Sequence, residues 1–390
     1  MSAAALPSVV RGSRAHTSAP PLDVQKVADR AALTAMEGEW DALVSATSAE
    51  PFYRHEYIRC FLDNFLPKAP LEVRVVRDAD GRLTAVLPLA AERAAICGIH
   101  VCQWTSPTNV HSFRFDLVAD NGEDAAPAIL RHLAADRGWD VVKITDVPEG
   151  GQAWALYRAA QESGFPVGAW EAQRSPYIAL PATYEELARG LRSKFKANLR
   201  RRRKRLEEKG AVTVERVAGA ALLPRHLDEC LDLERRGWKG QGGSAVSQSA
   251  AAHGFYSELF HREAFRDRLS IFFLRLDGRP IAFHYGLTCR GVYSLLLTSY
   301  DESFKEQSPG HLLMEDLLQD CVARGLRELD FLGCDLPWKL EWTSTARTHY
   351  WLFVFRDSVF GRALRAIKFG WVKTARRRLV AGYRRLRRIS

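Results

Sequence analysis

Residues 293–333 read YSLLLTSYDESFKEQSPGHLLMEDLLQDCVARGLRELDFLG. The apolar run at 293–300 predicts a buried strand, and the polar residues that follow predict a loop. The Pro-Gly pair at 309–310 opens a helix with an apolar face, because proline and glycine are common at helix starts. A second buried strand follows at 328–333. The segment therefore predicts a strand, a loop, a helix and a strand in that order.

The helix start at Gly310 suits an anionic group. The first N–H groups of a helix have no partner within it, and the helix dipole adds partial positive charge there. Because Gly310 has no Cβ, a pyrophosphate can approach the backbone closely. A Pro-Gly pair also begins many helices that bind nothing. Both interpretations, a phosphate site and a simple helix start, stay open on these residues alone.

The chain repeats this order of elements. LEVRVVRDADGRLTAVLPLA at 71–90 and LSIFFLRLDGRPIAFHYGLT at 269–288 each alternate in polarity around an Asp-containing turn with glycine, which predicts two hairpins. A helical stretch precedes each hairpin and a helix–Gly–strand unit follows it, at 53–65 and 126–147, then at 253–265 and 310–333. Four elements in one order favour a duplicated domain over chance similarity.

The length of the chain and the positions of its prolines predict four regions. A chain of 390 residues suits two domains, each with its own core. We expect a disordered tail at 1–24, a degenerate domain at 25–180, a second domain with the main site at 181–356, and a basic amphipathic helix at 357–390. Pro176 and Pro181 mark the boundary between the domains. There is neither a run of 18 apolar residues nor a signal peptide, so we expect a cytoplasmic protein.

Basic residues are concentrated in two segments. Residues 189–209 hold eleven Lys and Arg against two Glu, and residues 361–390 hold eleven without an acid. The first segment predicts either a solvated helix face or a contact for a polyanion. The second has apolar residues at helical spacing, so it predicts either a helix on an anionic membrane surface or one packed on the protein. Seven scattered cysteines disfavour a disulfide framework and a zinc site.

The strand, the loop with Gln307 and Gly310, the helix and the next strand resemble the coenzyme A core of GNAT acetyltransferases. The resemblance implies an α+β fold, with a tandem pair of mixed, mostly antiparallel sheets flanked by helices. It implies acetyl-coenzyme A or another acyl-coenzyme A as co-substrate, and no metal. Leu312 departs from the pattern, because the superfamily has Gly or Ala at that position.

A closer resemblance is to the CelD-like or BioF2-like branch, which is associated with cellulose and exopolysaccharide biosynthesis and related to the FemABX peptidyltransferases. It is carried by five motifs: SKFKANLRRRRKRL (193–206), LERRGWKGQGG (233–243), LDGRPIAFHYG (276–286), the SPG loop (308–310) and DFLGCDLPWKLEW (330–342). Trp338 stands where this branch usually has a Tyr before Lys339. If a Tyr hydroxyl there protonates the thiolate, this chain lacks it.

Acyl transfer to an amine requires a base for the amine, a stabilised oxyanion and an acid or cation for the thiolate. We expect His284 and Asp330 as candidate bases and Lys339 as a mobile cation. The expected lining of the coenzyme site is Thr298, Ser299, Tyr300, Gln307, Ser308, Pro309, Gly310 and His311. The expected contacts to a substrate or polyanion are Lys194, Lys196, Arg200, Trp238 and Trp338.

Three functions stay open. The first is N-acyl transfer from acyl-coenzyme A to an amine, such as an amino sugar in polysaccharide or cell-envelope assembly. The second is FemABX-like transfer from charged tRNA, which is less favoured because the long helical arm of many such enzymes is not evident. The third is a non-catalytic scaffold that binds a membrane, through residues 360–390, or an anionic polymer. G-x-S-x-G, G-x-G-x-x-G and P-loop motifs do not occur, which disfavours hydrolase, dinucleotide and nucleotide-triphosphate sites.

Overall fold

The computed structural model of the chain describes residues 22–48, 50–237 and 246–371. Its strands are β1 (Asp23–Val27), β2 (Val73–Arg77), β3 (Leu83–Leu87), β4 (Ala90–Ile96), β5 (Ile99–Thr105), β6 (Val118–Ala119), β7 (Val141–Pro148), β8 (Val167–Ala179), β9 (Val212–Ala218), β10 (Leu269–Leu276), β11 (Arg279–Cys289), β12 (Val292–Tyr300), β13 (Glu328–Asp330) and β14 (Ala346–Phe355). Its helices are α1 (Arg30–Ala35), α2 (Glu37–Thr47), α3 (His55–Phe65), α4 (Gly122–Ala135), α5 (Ala153–Glu162), α6 (Tyr184–Gly190), α7 (Ser193–Glu207), α8 (Pro224–Arg236), α9 (Ala250–His261), α10 (Glu263–Arg266), α11 (Pro309–Ala323) and α12 (Val359–Ala366).

Both predicted hairpins form. Strands β2 and β3 pair around a turn in which Gly81 has a φ of 80°, and β10 and β11 pair around Asp277 and Gly278, with φ of 50° and 79°. Positive φ costs little at glycine and is tolerated at Asp, which is why this pair of residue types fits a tight turn. The hairpin motifs of the sequence therefore correspond to the pair β2–β3 in the first half and the pair β10–β11 in the second.

The helix predicted after the Pro-Gly pair is α11. Its Leu312, Leu313, Leu317 and Leu318 are fully buried against β10, β11 and β12, because they recur at helical spacing on one face. Leu312, which departs from the family pattern, thus points into the core and leaves the helix start open. Gly325, with a φ of 68°, ends the helical segment as predicted.

The two halves exchange strands. The larger sheet has ten strands in the order β4-β5-β7-β14-β8-β13-β12-β11-β10-β9, beside a four-stranded sheet in the order β1-β2-β3-β6. Strand β14 comes from the second half but lies between β7 and β8, while β8 comes from the first half and pairs with β13. One continuous sheet thus passes through both halves. Sequence periodicity carries no information on which strands pair across such a distance.

Two features differ from the expected boundaries. Strand β8 runs through Pro176, which pairs with Ala346 instead of ending the strand. Strand β1 begins at Asp23, inside the tail expected at 1–24, and residues 1–21 lie outside the described part of the chain. Thr183 caps α6 by accepting a hydrogen bond from the Glu186 N–H.

The C-terminal basic segment is described as far as residue 371. Leu364 of α12 is fully buried, and the ring of Phe369 lies 5.4 Å from Trp170 and 5.6 Å from Phe353. This part of the apolar stripe therefore packs on the protein, whereas Val359 at the start of α12 is exposed. Residues 372–390, where most of the predicted amphipathic helix falls, lie outside the described residues. Within the described part, every helix is too short or too polar to cross a membrane.

Candidate active site

Strands β12 and β13 separate and leave an open strand edge. They pair in parallel at Val292, Tyr293 and Ser294, and β12 then continues to Tyr300 while β13 ends. On its other side β12 pairs with β11, where Leu296 forms a bulge between the pairs Gly286–Leu295 and Tyr285–Leu297. The open edge thus begins at Leu295, directly after the last pair between β12 and β13. An extended ligand can add to such an edge by backbone hydrogen bonds.

A cavity of about 480 Å³, here called the strand-end cavity, lies between the end of β12 and the start of α11. Its walls are formed by His284, Thr298, Ser299, Tyr300, Glu302, Ser308, Gly310, His311, Leu336, Pro337 and Trp338. Most residues expected to bind the coenzyme are among them. Gln307 and Pro309 are buried in the protein and do not line this cavity.

The start of α11 presents its backbone to the strand-end cavity. Ser308 precedes the helix with a φ of 47°, and its side chain makes no capping hydrogen bond. The Gly310 N–H has no hydrogen-bond partner among the described residues. A Cβ at Gly310 would approach no atom more closely than Cδ1 of Tyr300, at 3.7 Å. An uncapped helix start that faces a cavity is suited to an anion.

A second cavity of about 900 Å³, here called the central cavity, lies between the two halves. Phe65, Thr108 and Asp146 of the first half line it together with residues of the second half, including Leu295 to Thr298. Three residues, Thr298, Leu336 and Trp338, line both cavities. The cavities therefore meet at the open edge of β12, where two substrates could approach each other from opposite sides.

Backbone strain is concentrated on the walls of these cavities. Seven non-glycine residues of the described chain have positive φ, and three of them precede the glycine of a hairpin turn. The other four, Phe113, Asp146, Ser308 and Leu332, have φ between 47° and 59°, and each lines one of the two cavities. Such conformations cost about 1–3 kcal/mol each and cluster at functional sites. The sequence carries no signal for them, because none is a glycine or follows a turn motif.

His284 is a neutral group in the wall of the strand-end cavity. Its Nδ1 lies 2.8 Å from Thr298 Oγ1, within hydrogen-bond distance. Burial lowers the pKa of His284 to about 3, so the ring does not titrate near neutral pH as the sequence suggested. The pair His284–Thr298 therefore fixes a hydroxyl at the junction of the two cavities, and the imidazole is a weak base in this state.

His311 lies in the first turn of α11, beside Trp342 and Phe195. Its Nδ1 accepts a hydrogen bond from Trp342 Nε1 at 3.1 Å, and the Phe195 ring of α7 lies 5.5 Å away. Burial, aided by the positive charge of Arg202, lowers the pKa of His311 to about 4. Aromatic packing thus joins the start of α11 to the basic helix α7.

Buried neutral histidines predict acid sensitivity. Burial, with Arg114 nearby, lowers the pKa of His349 to about 3, and the unfolded state binds the proton near the ordinary value of 6.5. Folding stability is therefore full above about pH 6.5 and falls as the pH drops, by about 1.4 kcal/mol per pH unit for each such group. Between about pH 4 and 6, we expect His349→Phe to make the unfolding free energy depend less steeply on pH. The slope should fall by about 1.4 kcal/mol per pH unit, which corresponds to one proton fewer bound on unfolding. Denaturant titrations across that range would measure it, and an unchanged slope would contradict the assignment.

Asp330 is a structural carboxylate, which corrects its expected role as a base. It is fully buried, and its Oδ2 accepts from Arg114 at 2.6 Å and from Arg347 at 3.0 Å. Burial opposes ionisation, but the two guanidinium groups and the Leu332 N–H hold the pKa of Asp330 below its ordinary value. A carboxylate held this way cannot reach a substrate amine, so it supports the site rather than acting in it.

Lys339 is also fixed instead of mobile. Its Nζ donates to the carbonyls of Leu332 at 2.5 Å and Cys334 at 3.0 Å. Asp330 binds the N–H of the same Leu332 at 2.8 Å. Asp330 and Lys339 thus bind the N–H and the carbonyl of the left-handed Leu332. These bonds fix the loop that places Trp338 at the junction of the two cavities. Lys339 thus acts in the structure as a cross-link of this loop.

The basic helix α7 packs its predicted apolar stripe, Phe195, Leu199 and Leu206, into the core. Lys196 donates to the Ala188 carbonyl, and Arg203 pairs with Asp316 of α11, so neither belongs to a free basic face. Lys194 and Arg200 are exposed, in agreement with a solvated or polyanion-binding face. Trp238, the remaining residue expected to contact a substrate, lies outside the described residues.

The first half has a counterpart of the strand-end site, but a side chain fills it. Strand β5 pairs in parallel with β7 and ends at Thr105, within the paired region. At the start of α4 the Gly122 N–H donates to Gln152 Oε1 at 3.0 Å, and a Cβ on Gly122 would lie 2.5 Å from that oxygen. This helix start is therefore closed to a ligand.

One group of possible metal ligands occurs among the described residues, formed by Glu37, His55 and Glu56. His55 Nε2 is already bonded to the Leu33 carbonyl at 2.7 Å, and Glu56 pairs with Arg262 at 2.9 Å. None of the three lines either cavity. These contacts tie α3 to α1 and to Arg262, so His55 and Glu56 are part of the packing of the first half.

Comparison with known structures shows the same fold across both halves. FemX shares 12% sequence identity over 85% of this chain and 97% of its own, with a TM-score of 0.55. The C-terminal domain of a putative lysylphosphatidylglycerol synthetase from Agrobacterium fabrum shares 14% identity over 85% of this chain and 95% of its own, with a TM-score of 0.52. L-PGS from Bacillus licheniformis shares 14% identity over 87% and 97%, with a TM-score of 0.50. At such low identity these similarities concern the fold alone.

Sequence comparison finds a family-model match in the second half. No curated protein matches the chain in sequence. Residues 193–340 match the family model of the acetyltransferase (GNAT) domain, a range that contains α7, the open edge of β12 and the start of α11. The predicted fold class is confirmed. The chain is an acyltransferase with the GNAT fold, and residues 193–340 are the part that matches the family model.

Proposed function

We propose that the chain transfers an acyl group from acyl-coenzyme A to an amine. The donor would occupy the strand-end cavity and the acceptor the central cavity, so that they meet beside Thr298 and Trp338. The observation that carries this proposal is the combination of an open β12 edge with an uncapped helix start at Gly310, on the walls of one cavity. That combination offers partners for an amide-containing arm and for a pyrophosphate at once.

The chemistry needs an oxyanion site beside the thioester. We infer that backbone N–H groups of the open β12 edge near the Leu296 bulge donate to the developing oxyanion. A bulge turns backbone groups away from the neighbouring strand, which leaves them able to bond to a ligand. No covalent enzyme intermediate is required. The neutral His284 holds the Thr298 hydroxyl at this point, which positions a polar group beside the reacting atoms.

The proton for the departing thiolate can come from Tyr300. Its ring lines the strand-end cavity, and burial together with Glu302 raises the pKa of its phenol, which keeps it protonated at neutral pH. Trp338, which stands where the resembling branch has a Tyr, lines the same cavity and cannot donate from an oxygen. We propose that Tyr300 replaces the missing acid.

The acceptor is proposed as an amine of modest size, such as an amino sugar used in polysaccharide or cell-envelope assembly in the cytoplasm. A cavity of about 900 Å³ with both aromatic and polar walls fits such a molecule. An anionic membrane surface remains a proposed partner for the basic C-terminal segment.

A second candidate function is transfer from charged tRNA. It is favoured by the similarity to FemX across both halves and by the exposed basic residues of α7 beside the start of α11. Against it, α7 and α11 are the longest helices of the described chain, with 15 residues each, so these residues contain no long helical arm.

Thiol release separates the two candidates. Purified protein with acetyl-coenzyme A and glucosamine should release free coenzyme A and form the N-acetyl product, as followed by thiol titration and mass spectrometry. Transfer from charged tRNA without any reaction of acetyl-coenzyme A would favour the second candidate.

A Tyr300→Phe variant should lower kcat with little change in KM, because the phenol acts after the donor is bound.

A further inference from the structure

Asp146 places a carboxylate on the wall of the central cavity, at the end of β7. Its Oδ1 accepts from Trp351 Nε1 at 3.2 Å and from Gln173 Nε2 at 3.4 Å. Its Oδ2 accepts no hydrogen bond from the described residues. One oxygen is thus held in position by two donors while the other is left for a ligand.

The backbone at Asp146 is fixed in an uncommon conformation. Its φ is 58° without a glycine beside it, and its carbonyl accepts from the Phe115 N–H at 3.2 Å. Phe113, two residues before Phe115 in the chain, is also left-handed. Strain that the surroundings maintain is a property of functional positions, and here it directs an acidic side chain toward a cavity.

Asp146 forms no ion pair with another described residue. Lys143 of β7, whose Nζ lies over the Trp351 ring at 4.8 Å, favours the ionised carboxylate through its charge without contacting it. The other lysine on this wall, Lys339, donates to the carbonyls of its own loop. Burial raises the pKa of Asp146 to about 6, so the group is mostly ionised at neutral pH although it is poorly solvated.

We propose that Asp146 binds the ammonium group with which the acceptor enters the central cavity. The acceptor class is then a compact hydroxylated amine: a cation for Asp146, with hydroxyls that can bond to Thr108, Thr145 and Gln173 on the same wall. The inference rests on the proposed function, since it assigns the acceptor to this cavity. Beyond that function, it names Asp146 as the residue that recognises the amine, and it states that the amine arrives as a protonated ammonium group.

The test uses the Trp351 indole as a reporter, because that N–H is bonded to Asp146. Full-length protein labelled with nitrogen-15 is titrated with glucosamine, with glucose as the uncharged control, and Trp351→Phe assigns the indole signal. We expect glucosamine but not glucose to shift the signal. Asp146→Asn should weaken glucosamine binding roughly tenfold or more, because it removes the charge and keeps the shape. Asn tolerates left-handed backbone, so this variant should fold.

Two controls separate the possible failures. Glu92→Gln removes another carboxylate of the same cavity, one that Gln103 already binds, and should leave glucosamine affinity nearly unchanged. Acetyl-coenzyme A affinity, measured on every variant, should equal that of the wild-type protein. If acetyl-coenzyme A binds but glucosamine shifts nothing, or binds Asp146→Asn as tightly as the wild-type protein, the inference is wrong and the proposed function stands. If acetyl-coenzyme A does not bind the wild-type protein, the proposed function itself fails.

Discussion

Gly310→Asp should weaken the binding of acetyl-coenzyme A by about two orders of magnitude while leaving the fold intact. The new carboxylate would occupy the uncapped helix start of α11 and repel the pyrophosphate that we place there. Losing two hydrogen bonds to a charged group costs about 3 kcal/mol, which corresponds to roughly a hundredfold in affinity. An acidic residue in the first turn stabilises a helix, so the thermal stability should stay equal or rise slightly.

Gly310→Ala is the matched control for this substitution. Its Cβ would meet only Cδ1 of Tyr300 at 3.7 Å, an ordinary contact, so we expect affinity close to that of the wild-type protein. Isothermal titration calorimetry of the three proteins measures the difference. Equal loss in both variants would indicate steric exclusion rather than charge, and full binding by Gly310→Asp would place the phosphates elsewhere.

Asp330→Ala should destabilise the protein strongly. It leaves the buried Arg114 and the partly buried Arg347 without their shared carboxylate, and it frees the N–H of Leu332. Removing one partner of a buried ion pair costs about 3–5 kcal/mol, because the remaining charge is left poorly solvated. Denaturant unfolding would measure the loss.

Asp232→Ala serves as the control, because Asp232 pairs with Arg235 on the surface, where the side chains are 59% and 66% exposed. An exposed pair of this kind contributes less than about 1 kcal/mol. If Asp330→Ala kept the stability of the wild-type protein and lost only catalysis, Asp330 would regain the role of base that the sequence suggested.

The sequence predicted the local elements of the site well. Hairpin turns, the helix start at Gly310 and the apolar face of α11 follow from residue type and spacing over short distances. These features are encoded locally, because φ preferences and periodicity act within a few residues. The same reasoning found most of the lining of the strand-end cavity.

The sequence could not predict what depends on distant partners. Arg114 lies 216 residues before Asp330, and their ion pair decides that Asp330 is structural. The insertion of β14 between β7 and β8, the bulge at Leu296 and the left-handed Asp146 likewise arise only when the sheet assembles. The central cavity, formed between the halves, therefore had no motif, and Asp146 was missed.

A crystal structure of the protein with acetyl-coenzyme A tests the proposed donor site most directly. We expect the pyrophosphate at the Gly310 end of α11, the pantetheine arm along the open edge of β12, and the acetyl group beside Thr298 and Trp338, facing the central cavity. Coenzyme bound at any other place, or absent at saturating concentration from crystals with an open strand-end cavity, would contradict this placement.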